Sequence, residues 1–174
     1  MPETGDNVAR DFKISREEAD EFALGSQRKY AKAEAEGFYK GEILPVSLPS
    51  KKKDAPPTVV MQDEHPRRDA TMESLAKLKP LYEGGVVTAG NASGINDGAS
   101  AVLLASAAKL RELDVEPLAR LVAYASAGVE PAYMGIGPVP ATRLALERAG
   151  LKVGDLDVIE SNEAFAAQAM AVTK

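Results

Sequence analysis

Between Val86 and Ala105 the chain turns from a mixed, charged composition to small residues, and no other feature restricts the fold as much. Thr88-Ala89-Gly90-Asn91-Ala92-Ser93-Gly94-Ile95-Asn96-Asp97-Gly98 is a glycine-studded loop, followed by the unbroken small and apolar run Ala99-Ser100-Ala101-Val102-Leu103-Leu104-Ala105. A run of this kind offers no polar face to water and suits a strand covered on both sides. Periodicity alone does not separate it from a buried helix, but its short length favours the strand. Leu118 to Ala125 reads as the next strand and Leu156-Asp157-Val158-Ile159 as a last one. Hydrophobic residues are 45% of the 174, aromatics only 5%, and tryptophan is absent. The core must therefore come mainly from Ala, Val and Leu, as in helices packed on buried sheets, which is an α/β class.

Helix signals frame these strands. Ser15-Arg16-Glu17-Glu18 fits a capping box, and Ala19, Phe22, Ala23, Tyr30 and Ala33 follow at helical spacing until Gly37 supplies a left-handed stop. Ile43 to Pro49 carries two prolines and reads as an extended edge strand, with a short β-branched segment at Thr58-Val59-Val60. Thr71 can cap a short helix through Leu75 and Leu78 to Pro80, and Ser106 another through Leu110 and Leu113. A helix from about Pro140 to Ala149 is stopped by Gly150, and an alanine-rich helix begins at Asn162-Glu163-Ala164-Phe165. Residues 1 to about 85 look like an irregular excursion rather than a core, the kind of segment that often carries binding sites.

Bulk properties exclude several functions. A net charge of −5 opposes sequence-independent nucleic-acid binding, which needs basic surface. The run Lys51-Lys52-Lys53 beside Pro56-Pro57 reads as a solvated face. No apolar stretch approaches the roughly 20 residues that span a bilayer, and no secretory signal opens the chain. With no cysteine there is no disulfide, thiolate metal site or cysteine nucleophile within these residues, and the single histidine, His65, cannot build a histidine metal cluster.

Four places can carry chemistry. Glycines at 90, 94 and 98 remove side chains from the backbone, which suits either close approach of a ligand or tight strand-to-loop packing. The loop matches neither a Walker phosphate loop nor the dinucleotide fingerprint. Asn162 stands where a strand hands over to a helix, where an amide can orient water or stabilise an oxyanion, or simply cap the helix. Tyr133 to Pro138 is an apolar loop able to touch an acyl or pantetheine chain, although core filling is the plainer role for Met134. His65-Pro66-Arg67-Arg68 offers guanidinium groups to a phosphate.

Two segments, Val87 to Ala99 and Asn162-Glu163-Ala164-Phe165-Ala166-Ala167-Gln168, closely resemble signature segments of the thiolase family, and the likeness runs through the whole chain, including Met134-Gly135-Ile136-Gly137-Pro138. The resemblance implies an incomplete layered αβαβα fold. Residues 1–85 would be most of the inserted coenzyme A-binding loop domain, 86–115 the end of the N-terminal half, and 116–174 the start of the C-terminal half. It implies acyl transfer between coenzyme A and acetyl-CoA, by thiolysis of a 3-oxoacyl-CoA or reverse Claisen condensation through an acyl-cysteine. Coenzyme A and acyl-CoA are then substrates, with no permanently bound cofactor and no metal. Asn162 would hold a water in an oxyanion hole, Ser93 would lie along the pantetheine, and Met134, Ala164 and Phe165 would line the acyl and pantetheine pocket. Arg67, Ser74, Tyr82 and Ala89 would meet the nucleotide end. A cytoplasmic setting and a homo-oligomeric parent, dimer or tetramer, without nucleic-acid or membrane partners, complete the expectation.

Departures from the family pattern carry equal weight. The family's nucleophilic cysteine would fall before Met1, and its catalytic histidine and second cysteine after Lys174, so the chain reads as an interior fragment, inactive by itself. Glu83-Gly84-Gly85 is shorter than its usual counterpart. The opening segment with Asp63-Glu64-His65-Pro66-Arg67 looks most like the branch acting on 3-oxoadipyl-CoA in aromatic degradation, with the general acetyl-CoA acetyltransferases as nearest competitor. A non-enzymatic acyl-CoA-binding or scaffolding module is the competing function. An inactive partial fold, prone to aggregate through unpartnered strands, is the third possibility.

Overall fold

The computed structural model describes residues 1–50 and 55–174, so residues 51–53, the lysine run, lie outside the described residues. Helices α1 (Pro2–Asp11) and α2 (Arg16–Ala35) come first, then strands β1 (Val46–Leu48) and β2 (Thr58–Val60), and helices α3 (Met72–Ala76), α4 (Ala107–Leu113), α5 (Pro138–Ala149) and α6 (Ala166–Thr173). A 3₁₀ turn at Pro131–Ile136 leads into α5. Among the described residues, no helix is long and apolar enough to cross a membrane.

Local chemistry accounts for most helix ends. The Ser15 hydroxyl accepts from Glu18 N at 3.1 Å while the Glu18 carboxylate accepts from Ser15 N at 2.7 Å, satisfying two donors that the first turn of α2 would otherwise leave unpaired. Gly37, at φ 78°, then turns the chain away from α2. Ser106 caps α4 through Lys109 N, and Gly150, at φ 68°, stops α5. Thr71 and Ser74 form a reciprocal cap at α3. The expected continuation of that helix to Pro80 does not form. It ends at Ala76, and Arg16 Nη2 draws off the carbonyls of Leu75 and Leu78 at 2.6 and 3.0 Å.

The core corrects one expectation directly. The first residues are not an irregular excursion: Val8 and Ala9 of α1, Ile14 and Ala19 pack against Ala166, Ala167 and Ala171 of α6. Alanines on α6 let the helices approach closely, while Phe12, Phe22, Tyr133 and Met170 close the edges. Helix α1, absent from the sequence expectation, begins at Pro2 with no side-chain cap, although Pro2 and Glu3 in its first turn both suit a helix start. Its end is set by Lys13, at φ 53°, and by Ile14 N donating to Ala9 O.

The three apolar runs also differ from expectation. Residues 99–105, 118–125 and 156–159 form no strand, and β1 with β2, antiparallel with Val46 opposite Val60, make the one sheet among the described residues. Leu103, Leu118 and Val158 are exposed. A strand is defined by its hydrogen-bonded neighbours, and these runs have no ladder to join. The edge strand read over residues 43–49 narrows to β1 for the same reason.

Two outcomes follow. Ile14→Ala removes buried volume from the α1–α6 core and lowers stability by about 2–5 kcal/mol in denaturant unfolding. Hydrogen bonds from the Ser15 backbone N–H and then its hydroxyl hold the Glu18 carboxyl below its ordinary 4.5. Because the folded value is depressed, the contribution of the cap is complete above the ordinary value and fades as pH falls through the lowered one. An NMR titration should place the Glu18 midpoint below 4.5.

Candidate functional site

The site is organised by a buried carboxamide. Asn91 Oδ1 accepts from Thr88 N at 2.8 Å, and its Nδ2 donates to Asp20 Oδ1 at 2.8 Å and to Val86 O at 2.9 Å. Asp20, 2% exposed, also pairs with Arg16 Nε at 2.7 Å, so its charge is matched where it is buried. Thr88 turns its hydroxyl to Gly90 N, at 3.1 Å. From α1, Asp6 Oδ1 accepts from Val86 N and Val87 N at 2.7 and 2.9 Å. The loop entering the glycine-rich segment is therefore held by side chains of both N-terminal helices. Asn91, Asp20 and Asp6 were not singled out from sequence, since the bonds that join them across the fold span 71 to 81 residues.

The loop docks in turn on the start of α6. Ala166 N donates to Asn91 O and Ser93 N to Ala164 O, both at 2.9 Å, and Ala92 bridges Phe165 in antiparallel fashion. Phe165 is extended in this bridge, at φ −138° and ψ 138°, and the helix expected from Asn162 begins after it, at Ala166. Beside the junction opens a cleft of about 220 Å³, with Phe22, Ala23 and Ala166 on its apolar side and His65, Ser93 and Glu163 among its polar groups. Glu163 Oε2 accepts from Ser26 Oγ at 2.6 Å, tying the α6 approach to α2.

The glycines divide between the two roles left open for them. A Cβ at Gly90 would stand 2.6 Å from the Leu75 and Leu78 side chains, and one at Gly94 2.8 Å from the His65 ring. At both positions a side chain would crowd neighbouring side chains of the chain itself, which must shift to admit it. Gly98 has open space around it.

The residues expected in the site are dispersed. Ser93 lines the cleft, Ala164 is joined to it through the backbone, and Phe165 is half-buried beside Gly5. Asn162 is exposed, one residue before the tethered Glu163. Met134 is exposed in the 3₁₀ turn. Ser74 Oγ donates to Thr71 O within its cap, and Tyr82 and Ala89 are exposed away from the cleft lining. Arg67 Nη1 donates to the carbonyls of Glu64 and His65, each at 2.8 Å, while Arg67 N donates to Gln27 Oε1. Arg68 is committed to Glu34 and lies over the Tyr30 ring. The hydrogen bond from Arg68 pulls the Glu34 carboxyl below its ordinary range, and the same bond raises the Arg68 guanidinium. Of the His65–Arg68 segment, then, the Arg68 guanidinium already has an internal carboxylate.

Replacing Asn91 by Leu removes one acceptor and two donors at once and leaves Thr88 N, Val86 O and half of Asp20 unpaired. Stability should fall by on the order of 3 kcal/mol in urea unfolding.

With this geometry in place, the likeness to known proteins is specific. Residues 1–108 match the thiolase N-terminal domain and residues 115–174 the thiolase C-terminal domain. The chain is 53% identical over 176 residues to "Beta-ketothiolase BktB" of Cupriavidus necator, covering 100% of this chain and 44% of that protein. It is 53% identical to the "Beta-ketoadipyl-CoA thiolase" of Pseudomonas putida, covering 100% of this chain and 43% of the relative. Among solved structures, the Bacillus anthracis acetyl-CoA acetyltransferase superposes with a TM-score of 0.89 at 47% identity, over 99% of this chain and 43% of the other. Human mitochondrial 3-ketoacyl-CoA thiolase gives 0.86 at 46%, over 97% and 42%. The chain thus spans less than half the length of these relatives. Two domain matches in chain order, together with the backbone path, establish that the chain belongs to the thiolase family.

Proposed function

We propose that these residues form the coenzyme A-binding middle of a thiolase, an enzyme that transfers an acyl group between coenzyme A and acetyl-CoA. The carrying observation is the docking of the 88–94 loop on the 164–166 junction, which sets Ser93 in a cleft beside the approach to α6. In this reading Ser93 follows the pantetheine, Met134, Ala164 and Phe165 border the acyl and pantetheine path, and Arg67, Ser74, Tyr82 and Ala89 serve the nucleotide end. Asn162 holds the water that donates to the thioester oxygen as it becomes an oxyanion. A thiolate attacks the thioester carbonyl, the tetrahedral adduct collapses, and the departing sulfur takes up a proton from an acid–base group. This chain contains no cysteine, so that thiolate belongs to residues outside these 174.

The loop domain is assigned to residues 1–85, the end of the first thiolase half to 86–115 and the start of the second to 116–174. The parent is read as a cytoplasmic homo-oligomer with coenzyme A and acyl-CoA as its small-molecule partners. The names of the relatives favour 3-oxoacyl-CoA substrates, including 3-oxoadipyl-CoA.

The test places residues 1–174 in the matching segment of the full-length Cupriavidus necator relative and follows thiolysis. The expected chimera is active, and Asn162→Ala lowers its kcat by roughly 10²–10³-fold. A folded chimera without thiolysis would rule out the enzyme reading. The binding claim is separable: calorimetry with the 174-residue chain should detect coenzyme A, and Ser93→Trp should abolish the signal. Binding without activity would leave a non-enzymatic acyl-CoA-binding module as the function, a role compatible with a formed cleft in a chain lacking cysteine.

A further inference from the structure

The 3₁₀ turn Pro131–Ile136 is held from two sides by side-chain amides. Asn7 of α1 donates Nδ2–H to Ala132 O at 3.0 Å, and Gln168 of α6 donates Nε2–H to Gly135 O at 3.0 Å. These carbonyls bracket Met134. Between them the turn is irregular, with Tyr133 at φ −125° and ψ 28°, so regular helical hydrogen bonding does not determine its shape. Arg10 donates to Asn7 Oδ1 at 2.8 Å, which leaves the Asn7 amino group facing the turn.

Gln168 is the more informative of the pair. It is 6% exposed, and its Oε1 is buried with no hydrogen-bond partner among the described residues. An unpaired buried oxygen is a standing cost that a methionine of similar volume would avoid. The amide is therefore better explained by the bond it makes than by the space it fills. Gly135 meets it without clearance, since a Cβ there would lie 2.8 Å from Gln168 Cγ and 3.6 Å from Val8 Cγ2. Helices α1 and α6 are packed on one another, so their two donors form a rigid frame and the turn is the part being positioned.

We propose that Asn7 and Gln168 are positioning residues that fix where Met134 stands and thereby set the discrimination of the site between acyl-CoA and free coenzyme A. The inference rests on the reading of Met134 as a residue of the acyl path. Its test uses the 174-residue chain, with butanoyl-CoA and coenzyme A as probes in calorimetry and thermal unfolding as the control. Gln168→Met keeps the volume while removing both the donor and the unpaired oxygen. The melting temperature should hold or rise, while the ratio of the two dissociation constants shifts roughly three- to tenfold, as expected for one hydrogen bond. Should Gln168→Met fail to fold, Asn7→Ser takes its place, with the same direction of shift expected. A folded variant with an unchanged ratio, or one in which both ligands weaken by the same factor, makes the amides structural and overturns the inference. Failure of the unsubstituted chain to bind either probe is visible before any substitution, and it overturns the underlying binding reading and this inference with it.

Discussion

Asn91 is the joint on which the site turns. A carboxamide is the one neutral side chain that can accept a backbone N–H while donating to a carboxylate and a carbonyl, and here the bonds to Thr88 N and Asp20 are buried and the one to Val86 O is part-buried. Because Asp20 is also held by Arg16, and Arg16 reaches the carbonyls ending α3, one contiguous network joins α2, α3 and the glycine-rich loop. The Asn91 carbonyl extends it to α6 by taking the Ala166 N–H, a donor that the first turn of a helix cannot satisfy from within. In a low-dielectric setting such a network is stiff when complete and costly when broken.

What could be read from the sequence divides along the range of the interactions involved. Caps at Ser15, Thr71 and Ser106 and stops at Gly37 and Gly150 were legible because each involves residues only a few positions apart. Helix α1 has neither a side-chain cap nor a glycine stop, and only Pro2, Glu3 and Arg10 mark its ends. The runs at 99–105, 118–125 and 156–159 have strand composition, but composition specifies a tendency to pair and supplies no partner. At the site, Ser93 was visible through its motif. The network behind it was not, because nothing adjacent to Asp20 or Asp6 advertises a partner some 70 to 80 residues later.

The family likeness sharpens this contrast. The backbone follows the path of the Bacillus anthracis enzyme with a TM-score of 0.89, although three apolar segments along it remain exposed and unladdered. Path and ladder are thus separable. The loop–helix joints are made by contacts the chain holds internally, whereas the strands depend on neighbours for their definition.

The contact between Gly94 and the His65 ring has an evolutionary consequence. A side chain at position 94 would have to displace the exposed imidazole that lies 2.8 Å from its Cβ, so the constraint belongs to the pair and not to the glycine alone. Exchange of His65 for a smaller residue would open position 94 to alanine, and the order in which the two changes arrive would decide whether the intermediate is viable. Neighbours in contact behave non-additively in this way. The two positions should therefore drift together between related thiolases, making His65 a gatekeeper of variation in a loop that lies nearly thirty positions away in the chain.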